Sequence, residues 1–204
     1  MKGSSNILRR FGLVLVATAL FLGGSRPGAL SQEKLAGFDL QVHEMAMACR
    51  DQVAAAMLKL VKGNTLTLAQ LFDTFYIPIP DTDPQKYHTQ YDRFTDETIR
   101  IILDNYLSKD ERIKFVVAVD KNGYLPTHNS RYAKPLTGDG AYDTQNNRTK
   151  RMFNDRTGLA AARNKKPYLL QSYSRDTGEV MKDFSVPIYI DGRHWGAIRI
   201  GYQP

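Results

Sequence analysis

Val180-Met181-Lys182-Asp183-Phe184-Ser185-Val186-Pro187-Ile188-Tyr189-Ile190, then Asp191-Gly192, then Arg193-His194-Trp195-Gly196-Ala197-Ile198-Arg199-Ile200-Gly201-Tyr202: two alternating runs meet at an Asp-Gly pair. Asp-Gly supplies positive φ without steric cost, so the runs read as a β-hairpin. Upstream, Tyr168-Leu169-Leu170-Gln171-Ser172-Tyr173 leads to a second turn signal at Asp176-Thr177-Gly178, which makes the last forty residues a three-strand antiparallel meander. In its final strand Ile198, Ile200 and Tyr202 share one face, and alternation assigns Trp195, Ala197 and Arg199 to the other.

Working back from the meander, residues 113–120 form a strand with Phe115, Val117 and Val119 on one face and Val116 and Ala118 on the other. Asn122-Gly123 is a hairpin signal, and 124–128 returns as a second strand. Between His128 and Pro167 lies a crossover rich in Asn, Asp, Gly and basic side chains, with Asp155 as the acid near Arg148, Lys150, Arg151 and Arg156. A short helix is expected over 155–164. Three helices precede the sheet. Residues 34–62 place Leu35, Phe38, Val42, Met45, Cys49, Val53, Ala56 and Leu60 at spacings of three and four, ending at Gly63-Asn64. Thr67-Leu68-Ala69-Gln70 is a capping box. The acidic segment 92–107 puts Ile99, Ile102, Leu103 and Tyr106 on one side, and prolines 78, 80 and 84 mark a loop between.

The first 31 residues read as a secretory signal. Lys2, Arg9 and Arg10 precede an apolar run that is too short to favour spanning a bilayer, for which roughly twenty residues are needed, and Ala29-Leu30-Ser31 offers a cleavage site. The full chain carries 28 basic and 21 acidic residues. Lys2, Arg9, Arg10 and Arg26 leave with the signal, so 24 basic residues remain and nucleic acid is not an expected partner. Residues 32–204 are expected to form one periplasmic domain of about 170 residues, enough for a proper core. The lone Cys49 excludes an internal disulfide, and the absence of Cys-x-x-Cys-His excludes ordinary covalent haem attachment.

Three segments carry a family likeness: Val119-Asp120-x-Asn122-Gly123-Tyr124-Leu125-Pro126-Thr127-His128-Asn129; Asn147-Arg148-Thr149-Lys150-Arg151 with Phe153-Asn154-Asp155-Arg156; and Gly192-Arg193-His194-Trp195-Gly196. Over 38–202 the chain resembles the extracytoplasmic Cache domains, PAS-like sensors of bacterial methyl-accepting chemotaxis receptors. The resemblance implies an α+β fold, a five-stranded antiparallel sheet behind a long N-terminal helix, with a small-molecule pocket under the crossover. Receptors of that family continue into a membrane helix and a cytoplasmic coiled coil. The sequence in hand stops at Pro204, so signalling is expected to pass to a membrane receptor or kinase partner.

The expected function is therefore small-molecule sensing without catalysis, cofactor or metal. The alternatives are a haem or redox-sensing PAS-like protein and a small hydrolase. Asp176-Thr177-Gly178 matches an aspartic-protease triplet, but it sits in a turn and has no second carboxylate in symmetric apposition. His43-Glu44 opens a zincin-like pattern, yet Met47 stands where the second ligand belongs. The expected ligand is a small polar molecule bearing a carboxylate. Its site residues are His128, Arg148, Asp155, Gln171, Tyr173, Asp183, Trp195 and Arg199: guanidinium forks for the carboxylate, aromatic rings for its apolar or cationic part, and Asp183 for an amine. A weak parallel dimer through residues 34–62 is also expected, because a helix of that length runs about 40 Å and a five-stranded sheet covers only part of it.

Overall fold

A computed structural model describes residues 35–174 and 180–204. The expected signal segment and the Asp176-Thr177-Gly178 turn lie outside them. Helix α1 (Gly37–Lys62) carries no side-chain cap at its start, but Asp39 in its first turn accepts hydrogen bonds from Lys182 Nζ at 2.7 Å and Tyr202 Oη at 2.8 Å. Its end is the expected one, with Asn64 in the left-handed region at φ 57°. The capping box of Thr67 and Gln70 opens α2 (Leu68–Leu71). Two short strands, β1 (Ile77–Ile79) and β2 (Lys86–His88), pair where the prolines predict only loop. Helix α3 (Asp92–Leu107) buries Ile99, Leu103 and Tyr106.

The principal sheet has four antiparallel strands, β3 (Ile113–Asp120), β6 (Leu169–Ser174), β7 (Val180–Ile190) and β8 (Arg193–Tyr202), in the order β3-β8-β7-β6. The meander is as the sequence reads it. Pro187 sits beyond the last β6 pair, Leu169 with Ser185, where the middle strand has a neighbour on one side only and a missing N–H is tolerated. The expected fifth strand is a correction. Only Tyr124 and Leu125 are extended (β4), and they pair with Arg151 and Met152 (β5) instead of joining the main sheet. Gly123 explains why: at φ 84° it turns the chain out of the sheet, and a Cβ there would meet Phe153 O at 2.5 Å.

Alternation divides the sheet into two faces. Val116, Ala118, Phe184, Val186, Ile198, Ile200 and Tyr202 pack in the main core with α1 and α3, whereas Val117, Val119 and Ala197 face the crossover. Two bulges adjust this pattern. Ile113 pairs with Tyr202 and Phe115 with Gly201, leaving Lys114 extra, so Ile113 joins the helix side while Phe115 stays opposite. Likewise Ile188 pairs with Gly196 and Tyr189 with His194, which leaves Trp195 extra.

Val42, Ala46, Cys49, Val53 and Met57 of α1 are fully buried within the chain. Gln41, Glu44, Asp51 and Lys59 face outward, and Leu35, Phe38, Met45 and Leu60 of the stripe that motivates a dimer are partly buried against the core. Burial pushes the Cys49 thiol up to about 12, which makes it an inert packing residue. Among the described residues no helix is long and apolar enough to cross a membrane.

The crossover comprises a turn of 3₁₀ helix (Ser130–Tyr132), α4 (Gly140–Asn146), β5 and α5 (Arg156–Arg163). Lys86 fastens it: the residue is 3% exposed and its ammonium donates to Asn147 O, Asn147 Oδ1 and Thr149 O, each at 2.9 Å. Lys150 pairs with Asp96 at 2.8 Å and Asp92 at 3.1 Å, so the acid that offsets this basic segment comes from α3.

Candidate ligand cavity

A cavity of about 630 Å³ lies between the second face of the sheet and the crossover. Its sheet wall is Phe115, Val117 and Val119 of β3, Tyr173 of β6 and Arg199 of β8. Room for Phe115 comes from Gly201 opposite, where a Cβ would stand 2.1 Å from the ring. The other wall is built from Leu125, His128, Tyr132, Gln145, Arg148 and Phe153, with Asp155 and Thr157 at the start of α5.

The Asp-x-Asn-Gly segment positions that second wall. Asp120 Oδ1 accepts the backbone N–H groups of Asn122 at 2.8 Å and Tyr124 at 3.0 Å, while Oδ2 accepts the hydroxyls of Tyr76 and Tyr91. Burial pushes the Asp120 carboxyl up, against the pull of these four donors. Downstream, Asn129 is fully buried and bridges elements: Oδ1 accepts the N–H of Val116 and Nδ2 donates to Asp104. Arg100 of α3 reaches Thr127 Oγ1 from Nη2 at 3.1 Å. His128 is thereby placed between these anchors, its ring 4.7 Å from that of Tyr132 and 6.5 Å from that of Phe115.

Arg199 lies at the cavity floor, bound through Nε to Asp183 Oδ2 at 3.1 Å and through Nη2 to the same oxygen. Burial pulls the guanidinium down, but Asp183 more than reverses this, so Arg199 remains a cation. Arg148 and Arg151 both approach the Phe153 ring, each with its guanidinium carbon 5.3 Å from the centroid. Burial and the neighbouring Arg148 charge hold Arg151 below the ordinary guanidinium range. Asp155 is exposed and caps α5, its Oδ1 accepting from Thr157 N at 2.9 Å and Gly158 N at 3.0 Å. Among the described residues the chamber thus joins positive charge and aromatic surface with the exposed carboxylate of Asp155.

Of the eight residues singled out in the sequence, the cavity brings together His128, Arg148, Asp155, Tyr173 and Arg199. Three lie elsewhere. Gln171 shares the face but donates to Thr157 O at 3.1 Å, tying β6 to α5. Asp183 is wholly buried beside Arg199, so it is closed to a ligand amine, for which Asp155 is the accessible acid. Trp195 is on the opposite side of the sheet because the bulge resets its direction; its indole packs on Tyr91 at 5.9 Å and donates to Leu71 O at 2.9 Å. Tyr132, Gln145 and Phe153 have no sequence signal that assigns them to the chamber. Phe115 had one, since alternation places it with Val117 on a single face.

Among the described residues no group of three or more His, Cys, Asp or Glu is arranged to hold a metal ion. No family model matches the chain, and no curated protein matches it. Among solved structures the chain is similar to an extracellular ligand binding receptor from Desulfohalobium retbaense DSM5692, with 15% identity and a TM-score of 0.37. That likeness covers 84% of this chain and 26% of the receptor's, so the chain spans about a quarter of the structure it matches.

Proposed function

We propose that this chain is a Cache-type, PAS-like extracytoplasmic binding domain that senses a small organic molecule bearing a carboxylate and hands the signal to a membrane-bound partner without chemical turnover. The observation that carries the reading is the cavity of about 630 Å³ in which Arg148 and Arg199 meet the rings of Phe115, Tyr132, Phe153 and Tyr173. Its size falls within the range of small-molecule sites, and its lining mixes apolar and aromatic side chains with polar and charged groups that can orient a ligand. Crowding among Arg148 and Arg151 favours an anion, since a carboxylate between guanidinium groups relieves like-charge repulsion and is held by charge-assisted hydrogen bonds. Aromatic walls then select the apolar or cationic remainder of the ligand.

The experiment is a thermal-shift screen of the exported protein against carboxylates, amino acids, amines and neutral isosteres. A binder present at a hundred times its Kd stabilises by about 2.7 kcal/mol. Carboxylates raise the melting temperature and their methyl esters do not; Arg148→Gln weakens them with little change in the ligand-free melting point. Recovery of the bound compound unchanged separates binding from hydrolysis. A panel in which amines bind and carboxylates do not overturns the reading.

A further inference from the structure

His128 is 4% exposed in the cavity wall, and its Nδ1 accepts the backbone N–H of Asn129 at 2.7 Å. A ring nitrogen that accepts a hydrogen bond carries no proton, which assigns the proton of the neutral imidazole to Nε2, the ring's other polar atom. Tyr132 and Phe115 fix the ring's orientation from two sides.

A second proton has no place to go. On Nδ1 it would point at the Asn129 N–H, two donors head to head. The charged groups facing the ring are Arg100 from α3, Arg131 from the 3₁₀ turn, and Arg148 and Arg151 around the entrance to β5. Among the described residues the acids near them are Asp96, paired with Arg100 at 3.4 Å, Asp83, whose charge acts on Arg151, Asp104, which accepts from Asn129 and Ser130, and Asp155 at the start of α5. Burial, then the charges of the four arginines, hold His128 well below the ordinary histidine range.

We infer that His128 is a fixed-proton hydrogen-bond donor that presents Nε2–H to an acceptor atom of the molecule in the cavity, with Arg148 supplying the charge. This rests on the cavity being the ligand site proposed above. It goes further by making His128 a determinant of specificity: a ligand offering an N–H donor at that position faces another donor and leaves both unsatisfied, the kind of mismatch that binding sites reject strongly. It also separates binding from pH, because the donor gains no proton when the anion arrives.

Two measurements test it. Nitrogen-15 spectra of the ligand-free protein are expected to show Nδ1 unprotonated and Nε2 protonated, unchanged from about pH 8 to about pH 5, a range that straddles the ordinary histidine value. A ring that titrates near that value, or a proton on Nδ1, overturns the inference whether or not a ligand is found. Calorimetry with benzoate, which stays ionised over this range, is expected to give the same affinity throughout and no proton uptake. His128→Gln, which keeps an N–H donor, holds benzoate within ~3-fold of wild type, whereas His128→Leu loses at least ~10-fold, the equivalent of one unmade hydrogen bond. Proton uptake on binding, or undiminished binding by His128→Leu, also overturns it. If benzoate and the other carboxylates fail to bind wild type, the carboxylate reading falls, and the ring spectrum still decides where the proton sits.

Discussion

Arg199 and Asp183 occupy the boundary between cavity floor and sheet interior, with Asp183 wholly buried. Removing one member of such a pair strands the other charge, which costs about 3–5 kcal/mol, far more than the intact pair contributes. Arg199→Met is therefore expected to lower unfolding free energy by that amount in urea titrations, and to cost much less in an Asp183→Asn background. At His128 the effect appears in pH dependence. The folded protein holds its pKa below the unfolded value of about 6.5, so between that value and the folded one the unfolded chain binds a proton that the native state refuses. The contribution of His128 is accordingly complete above about pH 6.5 and declines as pH falls, with a slope approaching ~1.4 kcal/mol per pH unit. Urea melts from about pH 7 to about pH 5 check this. His128→Gln flattens the decline, leaving the part contributed by His194, which burial also holds down.

The sheet keeps core packing and cavity lining on opposite sides, and two substitutions exploit this. Trp195→Ala removes an indole seated against Tyr91 and Leu71 O, and is expected to cost about 3–5 kcal/mol in stability while leaving ligand affinity unchanged. Gly201→Ala acts on the other side: the new methyl drives the Phe115 ring from its place, and titration of a bound carboxylate is expected to show weakened affinity. The strands of the meander were legible because the Asp191-Gly192 turn and the alternation over most of the two runs it joins agree. Alternation failed at Trp195, where an extra residue reverses every side chain before it, and nothing in Arg193-His194-Trp195-Gly196 announces a bulge. It failed differently at residues 124–128: Asn122-Gly123 marks a turn, but the partner of Tyr124 is Met152, nearly thirty residues away, and local patterning carries no information about such a pairing. The β1–β2 pair was hidden by its prolines. Arg148 and Asp155 could be gathered from sequence because they stand out as charge in an irregular crossover, and Tyr173 because alternation along β6 gives it the face of Gln171; Tyr132 and Phe153 could not, since their loop positions have no periodicity.

At the scale of the molecule, the main core joins α1 and α3 to one face of the sheet, while the smaller cluster around Val117, Val119, Leu125 and Ala162 supports the cavity. A ligand in the chamber touches only the second. Hydrogen exchange with a bound carboxylate is thus expected to gain protection over residues 128–158 and at β3 and β8, with α1 changing only as far as global stability rises. Unchanged exchange throughout the crossover would place the ligand elsewhere. What keeps that crossover in register is Lys86, on whose ammonium three oxygen atoms of Asn147 and Thr149 converge. Oxygen atoms gathered around a positive centre are how calcium-dependent loops are organised, but here the cation is tethered to the chain by a covalent stem. The ammonium stands where such an ion would, so a chelator does not loosen these three contacts; a single codon change, Lys86→Met, is the genetic counterpart of ion removal.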